Sequence, residues 1–430
     1  MIALVEHFQF YNLLLEEETD KYLMNHSTGH FSKYFKNNKD KQCFSIGIFE
    51  DESGNKSYKI ETSYFVGVDR ISGLGRNVLI EPKLNNENTE VNVYHMLFEA
   101  MSDSENFRHL DGLYEIKFNS NPILIQQKQD YLTPFLLIQY VKLLSALVKK
   151  GLKKSYYRKS ENLNSKIKGK ILINQHINRN VLKNNKTNTF CEFEVFGFDI
   201  TQNQFLKYVL RFVSGYLEKY PADIRGVVTD LFNYIKPAFV NVSERSFASY
   251  DLKEKNPFYA EYNNLFEIGN LILKVQSFNT AKSNSTERAV PPYWIDMSKL
   301  FELYVFKKLR DLFPEKDAVM YHRKFLGGKE TDIILRSSGF ECVIDCKYKP
   351  RYADSPPSLE DYRQLAGYCR MKSVYKILNK PYTEVLKGII IYSDQGSSQH
   401  LIKENFYKNN AFEYVDFYKI GISLPTIKYI

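Results

Sequence analysis

The chain has 430 residues, a length that fits roughly two to four domains and excludes a single small module. Hydrophobic residues make up 43% of it and aromatic residues 15%, which argues against extended disorder. The formal net charge is +9, but residues 149–190 hold 12 basic residues against one acidic residue, Glu161. The positive charge is therefore concentrated in these residues, which we call the basic segment.

The cysteines and the longest apolar stretch indicate the cellular compartment and whether the chain spans a membrane. Five scattered cysteines are too few for a disulfide framework, so we expect a reducing, cytoplasmic environment. The longest apolar stretch, residues 131–148, is interrupted by Pro134, Gln139 and Lys142, and it falls short of the roughly 20 clean residues that a membrane span needs. We interpret it as a buried helix and expect no membrane partner.

The order of predicted elements indicates a multidomain α+β chain. Short β-prone runs between Cys43 and Leu84 predict a β-rich N-terminal region. Further along the chain, helices are predicted over residues 202–220, 222–235 and 257–274. We therefore predict three parts: a β-rich region at 1–125, a basic and helical middle region at 126–290, and a C-terminal α/β domain at 291–430.

The strongest chemical signal lies in residues 331–347, TDIILRSSGFECVIDCK. Two β-prone runs flank a Ser-Ser-Gly turn, which predicts a hairpin. Because side chains alternate along a strand, Asp345 and Lys347 should project from one face, and Asp332 can join them if the strands are in register. Neighbouring carboxylates suit a hard cation such as Mg²⁺ or Mn²⁺, and a lysine beside them can stabilise charge on a phosphate under attack.

Short D-x-K patterns are common by chance, so the flanking elements matter. A helix predicted over 297–309 carries Glu302 at the flank of its apolar stripe. A second helix, predicted over 359–377, carries Gln364 and Tyr368 on one face. A strongly apolar strand, 388–392, follows it.

This order of elements with E…D…D-x-K…Q resembles the PD-(D/E)xK nuclease superfamily. The resemblance implies that Asp332 and Asp345 bind the metal with Glu302 beside them, that Lys347 is the catalytic lysine, and that Gln364 faces the site. Thr331 stands where the name of the motif has proline, a position that contributes no ligand. Metal-dependent hydrolysis of DNA phosphodiesters is the activity that the resemblance implies.

Longer segments resemble the McrC family of McrBC-type, modification-dependent restriction systems. They are VGVDRISGLGRNVLIEPKL, KGKILINQHINRN, EFEVFGFDITQNQFLKYVL, WIDMSKLFELYV, DCKYKP and DYRQLAGYCR. Membership would imply a phage-defence endonuclease that works on double-stranded DNA with a separate hexameric McrB-like AAA+ GTPase. The chain has no phosphate-binding loop of its own, so we expect it to bind no nucleotide alone. The family's N-terminal part docks into the partner ring, which makes the β-rich region a candidate for that contact.

Two other functions fit the same residues: a non-cleaving assembly factor that activates the GTPase, and a stand-alone DNA repair nuclease. The role of the basic segment is also open. Lys166, Lys168 and Lys170 can contact DNA phosphates or an acidic surface of the partner, and Arg179 is a candidate for completing the partner's nucleotide site.

Overall fold

The computed structural model gives the backbone of most of the chain. The described residues are 1–11, 31–50, 56–71, 76–82, 84–86, 89–101, 104–110, 112–217, 222–247, 252–278, 287–325, 330–349, 352, 355–394, 401–410 and 413–427. The five cysteines are free and buried.

The strands are short and belong to several sheets. They are β1 (Ile2–Val5), β2 (Gln9–Tyr11), β3 (Phe31–Tyr34), β4 (Gln42–Glu50), β5 (Lys56–Thr62), β6 (Phe65–Ile71), β7 (Arg76–Glu81), β8 (Leu84–Asn86), β9 (Thr89–Val91), β10 (Tyr114–Ile116), β11 (Ile123–Gln126), β12 (Ser155–Asn164), β13 (Lys170–Ile171), β14 (Asn188–Gly197), β15 (Glu287–Val290), β16 (Tyr293–Asp296), β17 (Val319–Lys324), β18 (Glu330–Leu335), β19 (Cys342–Lys347), β20 (Lys387–Ser393), β21 (Phe417–Ile422) and β22 (Thr426–Ile427).

The helices lie mainly after residue 90. They are α1 (Val93–Ala100), α2 (Leu132–Lys150), α3 (Ile173–His176), α4 (Thr201–Leu217), α5 (Ala222–Ile235), α6 (Glu261–Ser277), α7 (Met297–Leu312), α8 (Leu359–Cys369) and α9 (Lys372–Leu378). The chain is thus a mixed α/β protein with several sheets, in agreement with the predicted class.

The chain divides into two compact units: residues 1–135 together with 278–430, and residues 136–277. In the first unit, the sheet β1-β7-β6-β16-β10 combines strands from both ends of the chain, because β16 pairs antiparallel with β6 and β10. The three-part domain division made from the sequence stays a prediction.

The C-terminal part of the first unit contains a five-stranded sheet of order β17-β18-β19-β20-β21. Strands β17, β18 and β19 are antiparallel, whereas β19, β20 and β21 are parallel. Helices α8 and α9 connect β19 to β20, as a parallel crossover requires. Val343 of β19 and Leu365 of α8 belong to one buried core cluster, which fixes α8 on that face of the sheet.

Two helix starts follow from capping residues. Asp296 precedes α7, and its Oδ1 accepts a hydrogen bond from the Lys299 backbone N–H at 3.0 Å. Ser358 caps α8 in the same way through the Asp361 N–H. The predicted helix over 359–377 is wrong as a single element: Met371 is extended (φ −78°, ψ 124°), and the chain turns there so that Val374 and Leu378 of α9 return to the core.

The second unit contains the sheet β12-β14-β13 and helices α3 to α6. The chain turns at Gly169 immediately before β13. Gly169 has φ +66°, and a Cβ there would lie 2.3 Å from the Glu192 carbonyl oxygen, so the turn requires glycine.

Helix α2 is long and apolar enough to span a membrane by length and composition, but 83% of its most apolar window is buried inside the protein. The prediction of a buried helix is confirmed.

Candidate functional site

Strand β19 ends in the acid and lysine of the motif. Its antiparallel register with β18 pairs Ile333 with Ile344, and one further step places Asp332 opposite Asp345. The backbone N–H of Cys346 donates to Asp332 Oδ2 at 2.8 Å, which holds that carboxylate against β19. The hairpin therefore brings the two carboxylates of the motif to one end of the sheet.

Lys347 joins the carboxylates to helix α8. Its Nζ donates to Asp345 Oδ1 at 3.1 Å and to Gln364 Oε1 at 2.9 Å. The Gln364 amide in turn donates to the Tyr368 hydroxyl at 2.9 Å. The lysine side chain is 14% exposed and that of Asp345 is fully buried, so this ion pair lies where water screens it little.

One oxygen of this pair is left incompletely satisfied. Asp345 Oδ2 lies 2.9 Å from Lys347 Nζ, but the orientation gives no hydrogen bond, and no described residue donates one to it. A buried carboxylate oxygen without a hydrogen bond lowers the stability of the fold. Such an oxygen is typical of a site that binds a ligand or an ion.

Glu302 approaches the same end of the sheet from α7. Its Oε2 accepts a hydrogen bond from the Tyr321 hydroxyl at 3.1 Å and lies 3.0 Å from His322 Nε2. Ligand atoms of Glu302, His322 and Asp332 all lie within 4.8 Å of one another. The structure thus forms one group from these three side chains and a second, adjacent one from Asp345, Lys347 and Gln364. We call the six residues together the β19 site.

The carboxyl groups of the site resist ionisation. Burial, and then repulsion from Glu302, raises the pKa of Asp332 to about 6. Burial, and then repulsion from Asp332, raises the pKa of Asp345 to about 8. Burial alone would lower the pKa of Lys347, but attraction to Asp345 and Asp332 outweighs it and raises that pKa. The lysine is therefore a cation, and full ionisation of both aspartates would give more negative charge than the lysine alone offsets.

This charge balance fits a metal ion. The donor set consists of carboxylate oxygens and one imidazole, which divalent Mg²⁺ and Mn²⁺ both accept. A cation between Asp332 and Asp345 would remove the repulsion that raises their pKa values. Of the metal ligands expected from the sequence, Glu302 and Asp332 lie together with His322, whereas Asp345 lies in the adjacent group with Lys347.

A further ion pair supports α8 beside the site. Lys349 Nζ lies 2.8 Å from Asp361 Oδ2, and the Tyr352 hydroxyl donates to the same carboxylate. Burial opposes ionisation of Asp361, but the hydrogen bonds from Lys349 and Tyr352 lower its pKa. Lys347 Nζ lies 3.8 Å from Asp361 Oδ1, so this pair also borders the β19 site.

The sequence interpretation missed His322, Glu330 and Asp361. Asp361 is the first residue of the quoted DYRQLAGYCR segment, and its partner Lys349 lies in DCKYKP. The spacing of these segments could therefore have suggested this pair. His322 lies in an unremarkable strand, VMYHRK, and no motif marks it.

The basic residues singled out from the sequence lie in the second unit. Lys166 and Lys168 lie between β12 and β13, Lys170 lies in β13, and all three are exposed. The Lys168 ammonium lies 4.4 Å from the centre of the Phe193 ring. Arg179 is exposed on the helical turn after α3, with its guanidinium 4.8 Å from the Phe190 ring centre.

Large apolar side chains are also exposed within residues 156–196 of the second unit. They are Tyr156, Ile167, Ile173, Ile177, Val181, Leu182 and Phe196. The Tyr156 and Phe196 rings, from paired residues of β12 and β14, lie 5.2 Å apart. We call this region of mixed charge and apolar surface the basic sheet.

Solved structures of McrB–McrC complexes are similar to the chain at low sequence identity. The chain is similar to a refined half-complex from a tetradecameric assembly of Thermococcus gammatolerans McrB AAA+ hexamers with bound McrC, at 15% identity and a TM-score of 0.41, over 98% of this chain and 94% of that chain. A cryo-EM structure of the Thermococcus gammatolerans McrBC complex matches at 14% identity and a TM-score of 0.30, over 75% and 89%. Both TM-scores are low, so neither likeness assigns a residue or an activity to this chain.

No curated protein matches the chain. Residues 60–378, well over half of the sequence, match the family described as McrBC 5-methylcytosine restriction system component. The chain therefore belongs to this family of McrBC restriction system components.

Proposed function

We propose that the chain is the Mg²⁺-dependent endonuclease subunit of its restriction system and cleaves double-stranded DNA. The observation that carries the proposal is the buried ion pair of Asp345 and Lys347. Lys347 also donates a hydrogen bond to Gln364, and Asp332 lies beside the pair, bonded to the Cys346 N–H. A buried carboxylate, a half-buried one and a charged lysine at one sheet end are the groups that metal-assisted phosphodiester hydrolysis needs.

Each residue has a distinct part in the proposal. Asp332, Asp345 and Glu302 would hold the metal, which when bound polarises a phosphate and lowers the pKa of water. Lys347 places its positive charge where negative charge develops on the attacked phosphate. Gln364 accepts a hydrogen bond from Lys347 and donates one to Tyr368, and so it fixes the direction of the ammonium group.

The proposal includes a partner, a McrB-like AAA+ GTPase hexamer. Membership in a restriction-system family supports this, as does the absence of a phosphate-binding loop from the sequence. The energy for moving along DNA would then come from the partner.

The basic sheet is proposed as a contact with the partner. DNA phosphates attract cations and need no exposed aliphatic groups, whereas exposed apolar patches mark protein interfaces. Ile167, which is 68% exposed, lies between Lys166 and Lys168, and Ile177 and Leu182, which are 40% and 74% exposed, flank Arg179 along the chain. This combination favours a protein surface over bare DNA.

Cleavage by the reconstituted system tests the proposal. Plasmid DNA is incubated with the chain, Mg²⁺, GTP and the McrB-like AAA+ GTPase of the same restriction system. Asp345→Ala or Lys347→Ala should abolish nicking while stimulation of GTP hydrolysis is retained. Lys316→Ala and Asp317→Asn serve as matched controls, because both side chains are exposed in the same unit.

Other outcomes identify the two rival functions. Faster GTP hydrolysis without cleavage by the unmodified chain under any condition would indicate an assembly factor. Cleavage without the partner would indicate a stand-alone repair nuclease. Undiminished cleavage by either site variant would contradict the assignment of the β19 site.

A further inference from the structure

His322 lies among the carboxylates of the β19 site, although it is no part of the nuclease motif. The register of β17 with β18 pairs Tyr321 with Ile333 and Arg323 with Thr331. His322 therefore faces Asp332 across the two strands. Its backbone has φ +44°, a left-handed conformation that residues other than glycine rarely adopt within a strand.

Both ring nitrogens of His322 meet carboxylates. Nε2 lies 3.0 Å from Glu302 Oε2, and Nδ1 lies 2.9 Å from Glu330 Oε1. Histidines that bind metals commonly donate their second ring N–H to a carboxylate, which fixes the tautomer and the direction of the ring. Glu330 is placed for that task, so that Nε2 points toward Glu302 and Asp332.

The buried carboxylate on the neighbouring strand is a second, independent observation. Asp345 is fully buried, and its Oδ2 accepts no hydrogen bond from a described residue. The site thus combines a three-residue donor group with a buried carboxylate oxygen that accepts no hydrogen bond and lies 2.9 Å from the Lys347 ammonium. Both features point to a cation at this end of the sheet.

We infer that His322 is a metal ligand together with Glu302 and Asp332, and that the site consequently prefers Mn²⁺ to Mg²⁺. This inference deepens the proposed nuclease function and rests on its metal dependence. Mg²⁺ favours oxygen ligands and gives up its water reluctantly, whereas imidazole is a good ligand for first-row transition ions. One nitrogen donor among carboxylates therefore shifts selectivity without excluding Mg²⁺.

The competing interpretation gives His322 a purely structural role. A protonated ring could bridge Glu302 and Glu330 as an ion pair, and a metal would then bind through oxygen atoms alone. The two interpretations differ in one measurable property, which is whether a nitrogen atom is bonded to the metal.

Electron spin echo envelope modulation on the full chain loaded with MnCl₂ tests this property directly. The wild-type spectrum should show coupling from a directly bound ¹⁴N, and uniform ¹⁵N labelling should change it. His322→Gln should remove the coupling and weaken Mn²⁺ binding by about 10-fold or more, with a much smaller effect on Mg²⁺ affinity measured by competition. Glu330→Gln should retain the coupling but weaken Mn²⁺ binding.

His95→Gln is the matched control. His95 Nε2 lies 3.0 Å from Glu99 Oε1, so it also forms a histidine–carboxylate pair, but outside the site. Its substitution should change neither the coupling nor the Mn²⁺ affinity.

Three results would overturn the inference: a wild-type spectrum without nitrogen coupling, coupling that persists in His322→Gln, or equal losses of Mn²⁺ and Mg²⁺ affinity. The wild-type spectrum is decisive even if a variant fails to fold. Plasmid cleavage is measured separately. Nitrogen coupling in a chain that never cleaves would contradict the proposed nuclease function and still support His322 as a ligand.

Discussion

Lysines in two regions of the molecule have very different surroundings. In the β19 site, Lys347 is mostly buried and is bonded to Asp345 and Gln364. In the basic sheet, Lys166, Lys168 and Lys170 are exposed. The surroundings of Lys347 favour catalysis, because a fixed charge in a poorly screened site acts strongly on a reacting group. The surroundings of the exposed lysines favour association, because exposed charges act over a distance and weaken with salt.

The largest expected effect is the loss of cleavage when a proposed metal ligand of the β19 site is removed. Asp332→Asn is expected to lower plasmid cleavage by at least about 100-fold, because a neutral amide binds and balances a cation poorly. Binding of the AAA+ partner should be unchanged. Cleavage assays and a binding titration on the same preparation measure both, and a parallel loss of partner binding would count against a separate catalytic role. Chelation with EDTA should reproduce the loss of cleavage, reversed by Mg²⁺.

Removing the lysines of the basic sheet should weaken partner binding and leave cleavage at saturating partner unchanged. The triple variant Lys166→Ala, Lys168→Ala, Lys170→Ala is expected to weaken partner binding by about 10-fold, since each exposed charge contributes well under about 1 kcal/mol. Cleavage should recover at saturating partner. The double variant Lys253→Ala, Lys255→Ala, also exposed in this unit, is the control.

The salt dependence separates partner binding from DNA binding at the basic sheet. If the triple variant binds the partner normally but shows weaker and less salt-dependent binding to duplex DNA, the surface contacts DNA instead.

The thermal stability of the chain should depend on pH through Asp345 of the β19 site. The pKa of Asp345 is raised on folding to about 8. Its contribution to stability is therefore fully present below the ordinary pKa of about 4, and it is lost as the pH rises toward 8. In EDTA, the melting temperature of the wild type relative to Asp345→Asn should fall by a few degrees between pH 5 and pH 8. A difference that stays constant over this range would contradict the raised pKa.

The smallest expected effect concerns Thr331, next to Asp332. Its side chain is fully buried, and no described residue forms a hydrogen bond with its Oγ1. Thr331→Val keeps the shape and removes the unsatisfied hydroxyl, so the free energy of unfolding should rise by about 1 kcal/mol. Thr331→Ser, which keeps the hydroxyl and loses a methyl group, should destabilise. Thermal melts of the three proteins check the order.

The sequence predicted the hairpin and the helix before it well, because strand alternation and capping are local properties. It could not predict the break at Met371, since residues 368–378 contain neither proline nor glycine, and the turn depends on how Val374 and Leu378 reach the core. His322 was missed for a related reason. Its position beside Glu302 depends on the pairing of β17 with β18, a tertiary relation that no spacing along the chain encodes.

The position of β16 has a consequence for the order in which the chain can fold. This strand, Tyr293–Asp296, lies between β6 and β10 in its sheet, so the sheet is incomplete until more than 290 residues have been synthesised. Residues 136–277 form a continuous unit and emerge from the ribosome whole before β16 does. We therefore expect residues 136–277 to fold first during translation. Until β16 is synthesised, the edges of β6 and β10 that pair with it are exposed to chaperones or to misassociation.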